Sequence, residues 1–311
     1  MRGLPLDFDI EVVRGLVAAG RSPPENWVTF VKSLSFDDEK YRFSDLSGLA
    51  PLIHLERLDL YDVEANDLEP LAGLKNLKWL YLADSKSSNI QALSDLKSLE
   101  HLDINMTRVT DLRPLRSLKN LKRLNLFSKE LVDLLPLQKL ENLEYLNLSM
   151  TQVRDLTPLR RLEKLQILML AATQVEDISA LADLRDLKCL CLWKTKITDL
   201  GPLTSLVELR TLDISETNVK SVKPLKHLRK LRFLDADHTN IDDWPILHGV
   251  PNLEISLANE RYSGPASIDV NEPWQIWYWT RHFSVSEDQL RSLITNYGDS
   301  AAVIQRVLHN M

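Results

Sequence analysis

LEYLNLSMTQVRDLTPL, residues Leu143 to Leu159, carries the pattern that decides the fold. Leu146 and Leu148 stand two apart, the spacing at which alternate side chains of a strand enter the same core. Placed on a 22-residue ruler, the same pair recurs at Leu58/Leu60, Leu80/Leu82, Leu102/Ile104, Leu124/Leu126, Leu168/Leu170, Leu190/Leu192, Leu212/Ile214 and Leu234/Ala236. Looser copies flank the series at Leu34/Phe36 and at Leu253/Ile255/Leu257, so the repeats run over residues 34–257. A strand this short cannot bury its apolar side alone. Stacking one repeat on the next makes a continuous core.

The remainder of each repeat fits that stack. Asp67, Asp111, Asp133, Asp155, Asp177 and Asp199 each precede an apolar residue and a PLxxL-type turn. A carboxylate there can accept backbone N–H groups at the start of a helical turn. Pro70, Pro114, Pro136, Pro158 and Pro202 follow three residues later, and Pro224 stands at the same phase of the ruler. First-turn N–H groups lack internal partners, so proline is tolerated there. Leu74, Leu96, Leu118, Leu140, Leu162, Leu184, Leu206 and Leu228 are expected to fill the convex side of the core. Thr107, Thr151, Thr173, Thr195, Thr217 and Thr239 form a column just after the strand. Their hydroxyls are expected to tie adjacent turns together, repeat to repeat.

The string LxxLxxLxLxxTxVxDLxPL resembles the 22-residue leucine-rich repeats of bacterial internalins and their SDS22-like relatives. The resemblance implies an α/β solenoid: curved, with a parallel concave sheet, short helical turns on the convex side and helical caps. It also implies a non-catalytic scaffold that binds a protein partner through the concave face, as a bacterial adaptor, inhibitor or effector.

The two ends differ in composition, as capping segments must. Residues 1–33 form an N-terminal helical cap, with Ile10, Val13, Leu16 and Val17 on one face and Gly20 ending the helix. Pro23 and Pro24 then open a segment that leads through Trp27, Phe30 and Val31 into the first strand. Residues 265–311 form a C-terminal helical segment. Its first helix is expected after Pro273, and a second after the capping box of Ser286 and Gln289, with Leu290, Leu293 and Ile294. A third starts at Asp299, with Ala302, Val303 and Val307 apolar. This segment, IDVNEPWQIWYWTRHFSVSEDQLRSLITNYGDSAAVIQRVL from Ile268 to Leu308, resembles the uncharacterised bacterial DUF3606 family, with Ser284 where a glycine is usual. Trp274, Trp277 and Trp279 read either as a binding platform or as apolar packing, more naturally packing against the last repeat.

Residues on the concave face are not needed by the core, so their character is informative. Phe127, Tyr145, Ile167, Met169, Ala171, Cys189, Cys191 and Trp193 are expected to cluster there as an exposed apolar patch. Acids flank it: Asp59, Asp62, Asp84 and Asp103 before, Asp213, Glu216, Asp235 and Asp237 after. The expected partner surface is therefore Phe127, Tyr145, Ile167, Met169, Cys191, Trp193, Asp213 and Asp235, and the partner a protein with an apolar centre and a basic rim. An ordinary half-exposed sheet remains the alternative reading.

Composition and motifs narrow the chemistry. A net charge of −6 without any basic tract argues against nucleic acid, and in the tail Arg281, Arg291 and Arg306 are outnumbered by Asp269, Glu272, Glu287, Asp288 and Asp299. No apolar run is long enough to span a bilayer. The two cysteines are too closely spaced for a bond within one strand and match no metal-site spacing, so neither metal nor cofactor is expected. Reduced thiols and an acidic opening segment point to a cytoplasmic setting, with leaderless secretion left open. Among the histidines, His101 alone is squarely concave, close enough to Asp103 to pair with it but without a nucleophile. Two other functions stay open: thiol-based redox sensing or enzymatic chemistry at Cys189/Cys191, and carbohydrate stacking on Trp79, Tyr81, Phe127 and Trp193. Oligomeric state cannot be read from the sequence.

Overall fold

A computed structural model describes residues 4–36, 41, 43–62, 64–256, 268–270, 275–276, 279–280, 283 and 285–309. Eleven three-residue strands form one parallel sheet in strict sequence order. They are β1 (Ser33–Ser35), β2 (Arg57–Asp59), β3 (Trp79–Tyr81), β4 (His101–Asp103), β5 (Arg123–Asn125), β6 (Tyr145–Asn147), β7 (Ile167–Met169), β8 (Cys189–Cys191), β9 (Thr211–Asp213), β10 (Phe233–Asp235) and β11 (Glu254–Ser256). The central leucines lie side by side in register, Leu58 beside Leu80, Leu80 beside Leu102, and so on along the stack. Those leucines, the second member of each pair and the convex leucines are buried in one continuous core. This is the curved leucine-rich-repeat architecture expected, with single turns of 3-10 helix forming the convex side.

The convex turns begin as the aspartate column predicts. Asp67, Asp111, Asp133, Asp155, Asp177 and Asp199 each accept the backbone N–H two residues ahead, at 2.8–2.9 Å. Proline sits in the first turn that follows at Pro70, Pro114, Pro136, Pro158, Pro202 and Pro224. Asn76, Asn120 and Asn142 reach back one repeat to the carbonyls of Ile53, Lys97 and Lys119.

The threonine column works differently from expectation. Thr107, Thr151, Thr173, Thr195, Thr217 and Thr239 donate to the carbonyl three residues back within their own repeat, at 2.6–2.8 Å. The cause is the residue before each one. Met106, Met150, Ala172, Lys194, Glu216 and His238 have φ between 53° and 60°. That left-handed step folds the chain tightly, bringing the hydroxyl onto the nearest carbonyl. Inter-repeat ties are made by the asparagines and by serines such as Ser87, which donates to Ala65. Ser128 stands at the left-handed phase without positive φ, in the repeat where Lys129 replaces the threonine.

At the N-terminus, α1 (Ile10–Ala18) is capped by Asp9 and buries Val13 and Val17. Gly20, at φ 68°, ends it. A short α2 (Glu25–Val28) places Trp27 in the same core, beside β1. At the C-terminus, Gln275, Ile276, Trp279, Thr280 and Phe283 are helical. They precede α3 (Glu287–Tyr297), which opens with the predicted Ser286–Gln289 capping box, and α4 (Ala301–His309). Ile268, Trp279, Leu290, Leu293, Ala301 and Ile304 form a second, separate core, and Trp279 stacks on Phe283 at 4.9 Å. The α4 face turned inward includes Ala301 and Ile304, whereas Val303 is exposed. Pro273, Trp274, Trp277 and Leu257 lie outside the described residues.

Two substitutions separate the roles of packing and turn geometry. Leu168→Ala, at a fully buried central position, should cost about 2–5 kcal/mol in urea unfolding. Thr173→Val keeps the shape but strands the Leu170 carbonyl, and should cost about 1–2 kcal/mol. An unchanged midpoint for Thr173→Val would mean that the hydroxyl does not hold the turn.

Candidate functional site

Each strand is three residues long, so its central leucine points into the core and its outer two residues face the concave side. Neighbouring strands lie within about 5 Å of each other, so concave side chains interact along the stack. Over β2–β6 the result is a series of cation–aromatic pairs. The Arg57 guanidinium lies 4.7 Å from the Tyr81 ring centre, and Arg123 lies 4.5 Å from that of Tyr145. Trp79 stacks on His101 at 5.7 Å. Burial, and then the Arg123 charge, push the His101 pKa down. Asp103 does not serve His101: it accepts from the Asn105 N–H at 2.8 Å and from the Asn125 amide at 2.9 Å. Asn147 continues this ladder to Asn125 at 2.9 Å.

Over β7–β9 the face changes character. Ile167, Met169, Ala171, Cys189, Cys191 and Trp193 form an apolar cluster separate from the leucine core. The Cys191 thiol donates to Asp213 at 3.3 Å, and Asp213 also accepts from the Ser215 N–H and hydroxyl. The Trp193 indole donates to Glu216 at 3.0 Å, and the Lys194 ammonium lies 5.6 Å from its ring centre.

Of the predicted partner residues, Ile167, Met169, Cys191 and Trp193 thus form one cluster, which Asp213 joins through Cys191. Tyr145 adjoins it as the register neighbour of Ile167, while its ring engages Arg123. Phe127 follows β5, at the repeat lacking the left-handed step. Asp235 is in register with Asp213 on the next strand. Sequence reading missed the arginine–aromatic pairs. Their signal was there: a cation in one repeat and an aromatic 22 or 24 residues later.

One expectation needs correction: this patch is not all exposed. Phe127, Tyr145, Ile167, Trp193 and Asp235 are partly buried, whereas Met169, Cys189, Cys191, Thr211, Asp213 and Phe233 are buried, all but Met169 to 0–1% exposure. Lateral neighbours alone leave the top of a concave side chain in contact with solvent. Burial this complete means that atoms lie over β8–β10. On the adjoining part of the face, Glu287 in the first turn of α3 reaches Arg123 at 3.4 Å. Burial above all pushes the Tyr145, Tyr81 and Asp103 pKa values up, and the nearby charges of Glu287 (on Tyr145) and Asp288 (on Tyr81 and Asp103) push in the same direction.

Comparison with known proteins places this geometry. Residues 114–248 match a leucine-rich-repeat region model, and residues 257–309 match DUF3606, a protein family of unknown function. Internalin C2 of Listeria monocytogenes is 31% identical, with 67% of this chain aligned to 97% of that one at a TM-score of 0.60. The chain belongs to the internalin-like leucine-rich-repeat family. A second Listeria internalin (inlF) is 29% identical, with 80% of this chain and 74% of that one covered at a TM-score of 0.74. A leucine-rich-repeat protein of Leptospira interrogans shares the fold at 24% identity and a TM-score of 0.70, over 76% of this chain and 63% of its own. A search of curated proteins finds no significant match.

The two cysteines of this face are both buried. No disulfide joins Cys189 and Cys191. The Cys189 thiol is pushed up to about 12, first by burial and then by Asp213, which leaves almost no thiolate for attack or redox exchange at neutral pH. Among the described residues no group of three His, Cys, Asp or Glu could hold a metal ion, and no helix is long and apolar enough to cross a membrane.

The raised thiol has a measurable consequence. Its contribution to stability is intact below the unfolded-state value of about 8.5 and is lost as the pH climbs toward the folded value. Between about pH 8.5 and 10.5, wild type should therefore lose urea stability faster than Cys189→Ala, by up to about 1.4 kcal/mol per pH unit. Parallel stability curves for the two proteins would refute the assignment.

Proposed function

We propose that this internalin-like chain is a protein-binding scaffold that takes a partner on its concave face and works by occupancy. The observation that carries this reading is the Ile167–Met169–Cys191–Trp193 cluster. It is apolar and contiguous, yet lies on the side of the sheet away from the leucine core. Core packing gives no reason for it, whereas a protein surface does. Exposed acids stand on either side of it along the stack, Glu216 just after β9 and Asp62 and Asp84 farther off after β2 and β3, so a partner with an apolar centre and a basic rim is complementary. Phe127, Tyr145, Ile167, Met169, Cys191, Trp193, Asp213 and Asp235 are the proposed contact residues, with Tyr145 and Trp193 as the main anchors. The proposed organisation is a cap over 1–33, repeats over 34–257 and a helical unit over 265–311. Thiols without a disulfide fit a cytoplasmic setting.

The two other readings fit the geometry less well. Redox sensing needs an accessible, acidic thiol, and the Cys189 thiol is the opposite on both counts. Sugar stacking needs open aromatic faces, but Tyr81, Trp79 and Trp193 each have a cation over one face, from Arg57, Lys78 and Lys194.

The test is affinity capture from producer-cell and candidate-host lysates, comparing wild type with a Tyr145→Ala, Trp193→Ala double variant of unchanged thermal midpoint. A partner recovered by wild type should fall at least about tenfold with the double variant, the size expected for loss of two anchoring aromatics. Equal recovery by both proteins would move the interaction off this face.

A further inference from the structure

We propose that the chain's own C-terminal helical unit is the resident ligand of the concave face, docked in cis and displaced when a partner binds. The proposal rests on the concave-face reading and adds its regulation. Three observations support it. The first is a direct contact: the first turn of α3 places Glu287 on Arg123, across 164 residues of sequence.

The second is complementarity. The β2–β6 half of the face presents Arg57 and Arg123, each laid on a tyrosine ring. An aromatic face beneath a guanidinium fixes its plane and leaves its edge free to meet a carboxylate. The element brought to that edge begins Glu287–Asp288, two adjacent carboxylates at the N-terminus of an eleven-residue helix. Further along the same face, Asp213 and Cys191 bond each other, and Cys189 lies beside them.

The third is coverage. Cys189, Cys191, Thr211, Asp213 and Phe233 are as buried as the leucine core, although they stand on the open side of the sheet. The chain has a second apolar core of its own in the helical unit, and the contact with Arg123 brings that unit onto this side. Cover at β8–β10 and an ion pair at β5 are what one body lying along the concave face produces.

The two thiols are the only cysteines in the chain and lie on the covered part of the face, so they report its opening. Maleimide labelling of the full-length folded protein at neutral pH is compared for wild type, Glu287→Lys with Asp288→Lys, Arg123→Glu, and the combination of all three. Reversal at Arg123 or at Glu287 replaces attraction by repulsion at a partly exposed pair, and reversal at Asp288 removes the neighbouring negative charge. Labelling should accelerate roughly threefold or more, with the combined variant returning toward wild type. The rescue, together with an unchanged thermal midpoint, excludes general unfolding as the cause. Labelling rates that are equal in all four proteins, or that the combination does not restore, would overturn cis docking. Partner capture by the same proteins separates the two proposals. Accelerated labelling with greater capture supports displacement, and accelerated labelling with unchanged capture overturns it. Unchanged labelling with capture that still depends on Tyr145 and Trp193 removes the cis ligand and leaves the scaffold function standing.

Discussion

Parallel, in-register pairing, at a 22-residue step from β2 to β10, is the constraint on which everything else here depends. A three-residue strand has few backbone bonds and one buried leucine, too little to order itself against the conformational entropy it loses. Two neighbours double the bonds and close the apolar side, so each repeat is stable only within the stack. The ends of the stack depart from 22, with 24 residues between β1 and β2 and 21 between β10 and β11, and the central residues still pair in register. The aspartate-started convex turns and the left-handed steps are the devices that keep the step constant, since both fix the path of the chain between strands.

The same regularity frees the concave face. Because the leucine core is satisfied by the central leucine and its partners on one side, the outer positions of each strand are not needed to fill it. Their variation from Arg57 and Trp79 through Ile167 and Met169 to Asp213 and Phe233 is therefore where this chain differs from a generic solenoid. Pairs form along the stack because the strands are close, which explains why cation and aromatic partners stand 22 or 24 residues apart.

What could be read from the sequence divides by range. The leucine pairs, the aspartate caps and the Ser286–Gln289 box were legible because each is a local or strictly periodic event. The threonine hydroxyls were read one step too far: periodicity placed them correctly, but could not tell that a left-handed residue before each one would bring an i−3 carbonyl closer than the next repeat. The apolar character of Ile167, Met169, Cys191 and Trp193 was legible as well. The contact of Arg123 with Glu287 was not, because it has neither period nor sequence proximity to announce it.

That contact need not be strong to matter. A partly exposed ion pair is worth about 1 kcal/mol at most, and as an intermolecular interaction it would be negligible. Tethering supplies an effective concentration on the order of millimolar, so the ion pair sets the register of docking while the apolar surface covered over β8–β10 must supply most of its energy. A partner at micromolar concentration must then outcompete it, and its apparent affinity is reduced by the fraction of molecules whose face is open. A partner whose anchors bury Tyr145 and Trp193 can supply that difference, whereas a surface offering only charge cannot. The helical unit would in this way raise the selectivity of an otherwise broad apolar face, admitting a well-fitting protein and turning away weak contacts with the same sheet.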